Sequence, residues 1–185
     1  MPRAYYSAPV PEFLQEDEDR ILGILLSRIG NENLRINARN AWQAQIQILQ
    51  SSLRSLSEGY IYFEFSMPRM GKRADNVLVI RDSVFVIEFK VGATNYNPYI
   101  EQVVDYALDL KNFHEGSHSI KIFPVLVCTA SPHFENTLAA YPDNVFKPLL
   151  ANIDNLETVV RMPLRLPSHG SIDPISWENS PYSPT

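Results

Sequence analysis

Two carboxylates and a lysine fall where charged side chains are least expected. In the run VFVIEFKV (84–91), Glu88 and Lys90 interrupt apolar and β-branched residues, and Asp75 opens the similar run KRADNVLVI (72–80) thirteen residues upstream. Charged groups inside apolar strands need a partner or a purpose. Strand alternation puts Val84, Val86, Glu88 and Lys90 on one face and Phe85, Ile87 and Phe89 on the other. An antiparallel hairpin turning near Arg81 to Ser83 can bring Asp75 close to Glu88, so that two carboxylates and an ammonium share one patch. Mg²⁺ or Mn²⁺ can use such a patch, because a hard cation takes oxygen ligands and often only one or two carboxylates. Such an ion offsets charge on a phosphodiester and lowers the pKa of a bound water. Lys90, favoured as ammonium beside two acids, would orient the attacking water or stabilise the pentavalent phosphorus. The alternative reading is a structural ion pair at a sheet edge. A second Asp-x-Lys, at Asp109 and Lys111, lies in a helical stretch and is expected to be solvated.

The elements that must position these groups can be read from period and punctuation. PEFLQEDEDRILGILLSRIG (11–30) suggests one or two amphipathic helices ending at Gly30. NARNAWQAQIQILQSSLRSL (37–56) spaces Trp42, Ile46, Leu49, Leu53 and Leu56 at steps of four and three, a helix with Trp42 as core anchor. After Gly59 the period changes to two, and YIYFEFS, RADNVLVI and SVFVIEFKV read as three consecutive antiparallel strands. Asn97-Pro98 opens a second helix that stops at Gly116. IKIFPVLVCTA reads as a buried strand with a bulge or irregular start at Pro124, and with Cys128 as a small core hydrophobe. Beyond it, SPHFENTLAAYPD reads as loop and short helix, VFKPLLA as a short strand and NIDNLETVVRM as a helix. The resulting class is α/β (α+β): helix, three-strand antiparallel meander, helix, strand, with extra helices at the N-terminus and further α/β elements after the strand. The organisation is a helical extension over 1–34, the main domain over 35–162 and a Pro-rich arm or linker over 163–185. Arg69, Lys72 and Arg73, in the connection beside Asp75, can contact phosphates or be solvated turn residues. Tyr96 and Tyr99, at the entrance of the second helix, can stack on bases or be ordinary surface aromatics.

Composition narrows the remaining classes. The chain of 185 residues has 45% hydrophobic and 20% charged residues, values of a folded globular domain. No apolar run approaches a membrane span, and the single cysteine permits no internal disulfide, so a cytoplasmic protein without a membrane partner is expected. The net charge of −5 argues against holding nucleic acid by bulk positive charge. Five of the 21 acids lie between Glu12 and Asp19, which leaves 16 against 16 Lys plus Arg and permits a locally basic groove. There is no phosphate-binding GxxxxGK[ST], no GxSxG and no zinc spacing; His114, His118, His133 and His169 read as surface residues.

The blocks KRADNVLVI, VFVIEFKVG and EQVVDYALDLKNFH resemble the PD-(D/E)xK nuclease superfamily, whose restriction-endonuclease-like core runs helix, three-strand meander, helix, strand. EFKVG, QVVDYALDLKNFH, the PVLV strand and the closing WENSPYSPT resemble more narrowly the N-terminal region of the bacterial Schlafen-group-3-like DNA/RNA helicase family, in which a helicase-like motor follows. The resemblance implies that Asp75 and Glu88 are ligands of Mg²⁺ or Mn²⁺ and that Lys90 is the catalytic lysine. It also matches Gln102 and Tyr106 to a Gln-x-x-x-Tyr motif of RecB-like nucleases; their other reading is a hydrogen-bonded packing pair one helical turn apart. Many active members carry an acid on the first core helix, where this chain offers Gln43, Gln45 and Gln47; Glu64, the only acid in the first strand of the meander, is the candidate to compensate. The function implied is a metal-dependent nuclease domain acting on DNA, ranked ahead of RNA, with a C-terminal helicase-like domain as neighbour. The alternative is a catalytically inactive nucleic-acid docking or regulatory domain of the same fold.

Overall fold

The computed structural model describes residues 2–184. Its first element has no periodic signal: β1 (Tyr6–Pro9) pairs antiparallel with the first strand of the meander. An edge strand can hold a proline because its outward N–H has no partner to lose. Two short helices follow, α1 (Val10–Gln15) and α2 (Glu18–Ser27), the second capped by the Asp17 carboxylate, which accepts from the Asp19 N–H. The long helix α3 (Glu32–Ser52) starts ahead of its apolar periodicity because Asn31 Oδ1 accepts from the N–H groups of Asn33 and Leu34.

The meander is β2 (Tyr60–Met67), β3 (Lys72–Ile80) and β4 (Ser83–Lys90), each pairing antiparallel with the next. The turn between β3 and β4 is two residues long, with Ile80 paired to Ser83 and Arg81 at φ +55°. A single 3-10 turn at Asn97–Tyr99 leads into α4 (Ile100–Phe113), so Pro98 sits one turn before the α-helix proper. β5 (Lys121–Cys128) returns parallel to β4, and β6 (Leu149–Ala151) lies parallel to β5. The chain closes with α5 (Leu156–Leu164) and α6 (Pro174–Glu178). The class is therefore α+β, with a mixed six-stranded sheet in the order β1-β2-β3-β4-β5-β6 and six helices among the described residues.

Pro124 causes no bulge, contrary to expectation: β5 stays in register with β4 through the Val86–Pro124 pair. Ile122 directs both its N–H and its C=O to residues 144–146, so Pro124, two residues on, turns its missing donor to the same side. There it meets the gap between Phe146 and Leu149, before β6 begins, and no ladder bond is lost.

The sheet has a core on each face. Ile61, Phe63, Leu78, Phe85, Ile87 and Phe89 pack under α1, α2, α3 and α5. Tyr62, Phe65, Val77, Val84, Val86 and Leu126 pack under α4 and the C-terminal segment. That segment was expected as an arm, but Trp177 of α6 is 3% exposed and stacks on Phe65 with ring centroids 5.2 Å apart. Three further expectations change. Residues 131–143 contain no helix. His114 is fully buried beneath Trp177 rather than at the surface. Asp109 and Lys111 are buried too: Asp109 faces Arg69, and the Lys111 ammonium donates to the His118 and Ile120 carbonyls. Among the described residues no helix is long and apolar enough to cross a membrane.

Candidate functional site

The register sets three carboxylates in a row across the meander. The pairs Phe63–Asn76 and Phe65–Ala74 bracket Glu64 and Asp75, and one step beyond Asn76–Ile87 brings Asp75 level with Glu88. At this row the backbone ladder between β3 and β4 lapses and the side chains replace it. Glu88 Oε1 accepts from the Asp75 N–H at 2.7 Å, and Asp75 Oδ2 accepts from the Phe89 N–H at 2.9 Å. One oxygen of each carboxyl is thus tied to the backbone of the opposite strand, and the two carboxyls are hydrogen-bonded to each other.

Glu64 marks a break in alternation. Ile61 and Phe63 face the α3 side of the sheet while Phe65 and Met67 face the α4 side, so the strand inverts at Glu64, which has φ +57°. A non-glycine residue in this region costs roughly 1–3 kcal/mol and persists only where its surroundings enforce it. Two contacts do so here: Arg73 Nη1 donates to the Glu64 carbonyl at 2.7 Å, and Trp42 Nε1 donates to Glu64 Oε1 at 2.9 Å. β3 inverts at the same row, since Ala74 and Val77 both face α4. The two inversions keep the register while turning Glu64 and Asp75 toward one another's strands.

Burial governs the charge of the row. Glu88 is 3% exposed, and its carboxyl is raised well above the usual range, first by burial and then by the Asp75 charge. Asp75 is raised by burial, opposed by the Phe89 N–H, by its hydrogen bond with Glu88 and by the Lys90 ammonium. Glu64 is pushed up to about 7 by burial, against the hydrogen bond from Trp42, with the Asp75 charge adding to the rise. Three acids in one desolvated row resist ionising together, a cost that a hard divalent cation would relieve. Among the described residues no group of three or more His, Cys, Asp and Glu side chains is gathered to hold a metal, so the oxygens a hard cation would meet here are those of the Asp75 and Glu88 carboxyls.

Lys90, half-buried on the same face as Glu88, sets its Nζ 5.2 Å from the centre of the Tyr99 ring. From α4, Gln102 Nε2 donates to the Tyr106 hydroxyl at 3.1 Å. The buried Tyr106 shares a groove with Glu64, and its phenol is raised mainly by desolvation and further by the charges of Glu88, Asp75 and Glu64. Of the remaining residues singled out from the sequence, Lys72 is exposed beside a groove of about 550 Å³ that Glu64 and Tyr106 also line. Arg69 lies 3.8 Å from Asp109 and 3.7 Å over the Phe113 ring. Arg73 is engaged with Glu64, with the Arg3 carbonyl and with the Tyr5 ring. Tyr96 is buried, its hydroxyl donating to the Pro132 carbonyl at 2.7 Å. Asp75 and Glu88 thus meet across β3 and β4, with Glu64 on the next strand, Lys90 two residues beyond Glu88 and the Gln102–Tyr106 pair on α4, while Tyr96 is buried against Pro132 and the exposed Arg69 lies beside Asp109 and Phe113.

Two participants escaped the sequence reading. Trp42 was assigned to the core, and it is buried, but its indole N–H also positions Glu64. Gln45 lies on the same helix face and is 4% exposed. A glutamine at a core-facing helical position was the available signal. Compared with family models, with curated proteins and with solved structures, the chain finds no match.

Proposed function

We propose that this chain is a metal-dependent nuclease domain of the PD-(D/E)xK type, hydrolysing phosphodiester bonds in nucleic acid. The observation that carries the reading is the Asp75–Glu88 pair, buried across adjoining strands with raised carboxyls and with Lys90 alongside. The succession α3, β2-β3-β4, α4, β5 supports it as the helix, meander, helix, strand order of that superfamily.

Asp75 and Glu88 would hold Mg²⁺ or Mn²⁺, with Glu64 beside them. When bound, such an ion supplies charge neutralisation at the phosphoryl group and a more acidic water. The protein's own part is distinct. The strand N–H groups of Asp75 and Phe89 fix the carboxylate orientation, Lys90 places a positive charge on the same face, and the Gln102–Tyr106 pair presents a hydroxyl to the row. The second reading, an inactive docking domain, has one observation in its favour: the face of α3 nearest the row offers Trp42 and Gln45 and no carboxylate.

The test is cleavage of labelled DNA and RNA with Mg²⁺ or Mn²⁺. Glu88→Gln and Lys90→Ala should each lower the rate on the order of a hundredfold or more, with circular dichroism unchanged. Wild-type protein that cuts neither polymer with either ion overturns the proposal and leaves the docking reading.

A further inference from the structure

The Lys90 ammonium lies near two acids and pairs with neither. Its charge acts on Asp75 and on Glu88, yet among the described residues every ion pair is made by other groups. What it meets is a π-system. Lys90 Nζ stands 5.2 Å from the centre of the Tyr99 ring, inside the roughly 6 Å over which a ring face attracts a cation.

The ring has a fixed support. Tyr99 closes the 3-10 turn Asn97–Tyr99 and is the N-cap residue of α4. Its N–H donates to the Tyr96 carbonyl at 3.0 Å. Tyr96 is itself buried, with its hydroxyl on the Pro132 carbonyl at 2.7 Å and its ring edge-on to Phe134. The base of the lysine is fixed as well, because the Lys90 carbonyl accepts from the Ala93 N–H at 3.2 Å and from the Thr129 N–H at 3.3 Å. Only the flexible stem between these two anchors is free to choose a rotamer, and the ring face decides the choice.

We propose that Tyr99 is the positioning residue of Lys90, holding the ammonium at its ring so that the charge stays near the Asp75–Glu88 pair without bonding to it. The inference rests on the nuclease reading and deepens it by adding a residue that acts through the lysine. A ring face suits this task for a chemical reason. It attracts the cation without claiming its three N–H donors in strong hydrogen bonds, as a carboxylate would. Those donors stay available to a phosphate oxygen or to the attacking water. A lysine bonded to the two carboxyls would instead spend them on the oxygens that a hard cation needs. Tyr99 therefore contributes its ring to the site, and its hydroxyl is dispensable.

The test uses the full 185-residue chain with its five lysines carbon-13-labelled at Cε, in EDTA, so that the first readout needs neither metal nor substrate. Each lysine gives one ε-methylene signal in the NMR spectrum, and Lys90→Arg identifies the one from Lys90. Ring currents displace protons at an aromatic face upfield, so this signal should lie upfield of those from the exposed Lys72 and Lys147. Tyr99→Leu should move it to their position, and Tyr99→Phe should return it. In cleavage with Mn²⁺, Tyr99→Leu should lower kcat about tenfold with KM unchanged, and Tyr99→Phe should rescue the rate. In a Lys90→Ala background Tyr99→Leu should have no further effect. A wild-type Lys90 signal that coincides with that of Lys72 overturns the inference, and this reading holds even if Tyr99→Leu fails to fold. A Tyr99→Leu protein with raised KM and unchanged kcat also overturns it, in favour of a ring that stacks on bases. A displaced Lys90 signal without cleavage by wild type sinks the nuclease reading alone; cleavage with a kcat indifferent to Tyr99→Leu sinks only this inference.

Discussion

Glu64 shows how one residue can tune the site without being its principal ligand. Its carboxyl is pushed up to about 7 from 4.5, so the folded protein holds that proton more tightly than the unfolded chain does. The sign follows from linkage: the contribution to stability is fully present below 4.5 and is lost as pH rises through 7. Asp75 and Glu88, also raised, act in the same direction. Glu64→Gln mimics the protonated form and can keep the bond from Trp42. In EDTA it should match wild type near pH 4.5 and exceed it by about 1–3 kcal/mol at pH 8, a gain of several degrees in Tm. Mn²⁺ should raise the wild-type Tm more at pH 8 than at pH 5, and Glu88→Gln should cancel most of that rise. Differential scanning fluorimetry across this range checks both, and a wild type and Glu64→Gln that melt together at pH 8 would refute the account of Glu64.

Among elements, the C-terminal segment departs furthest from its expected role. Trp177 packs on Phe65, on Tyr62 and on His114, and its indole N–H donates to Ser117 Oγ at 3.0 Å, so α6 seals the core under α4. Trp177→Ala should cost roughly 3–5 kcal/mol, lowering Tm on the order of 10 °C, measured by thermal unfolding. A change within a degree or two would show that the segment only rests on the sheet. This element was illegible in the sequence because five prolines between Pro163 and Thr185 interrupt any period and only Trp177 and its neighbours carry apolar weight. β1 was missed for a related reason: four residues ending in proline make no pattern, and the strand exists through its pairing with β2. By contrast α3, α4 and the meander were legible, because each buries one face and writes that face into its spacing. The same alternation is seen in β4, with Val84 and Val86 on the α4 side and Phe85, Ile87 and Phe89 on the α3 side. It could not orient Glu64, whose inversion depends on a left-handed backbone that no residue type announced.

For the whole molecule, the carboxylate row crosses the sheet between α3, whose Trp42 reaches Glu64, and α4, whose Tyr106 shares a groove with Glu64. Lys90 and Cys128, paired at the carboxyl ends of the parallel strands β4 and β5, border the same region, the usual place for a ligand on such strands. Arg3, near one end of the chain, touches residues near the other. Its carbonyl accepts from the Ser66 N–H at 2.7 Å, its guanidinium donates to the Ser180 carbonyl at 2.7 Å, and it lies 4.7 Å over the Tyr182 ring. The polypeptide thus comes round almost into a closed circuit. A short Gly/Ser bridge from residue 184 to residue 2, with the backbone reopened in the exposed stretch 168–170, should give a permuted protein with the native near-ultraviolet spectrum. In that rewired order the tryptophan-bearing segment would be synthesised ahead of the edge strand it neighbours, and failure of the permutant to fold would mean that the circuit is only apparent.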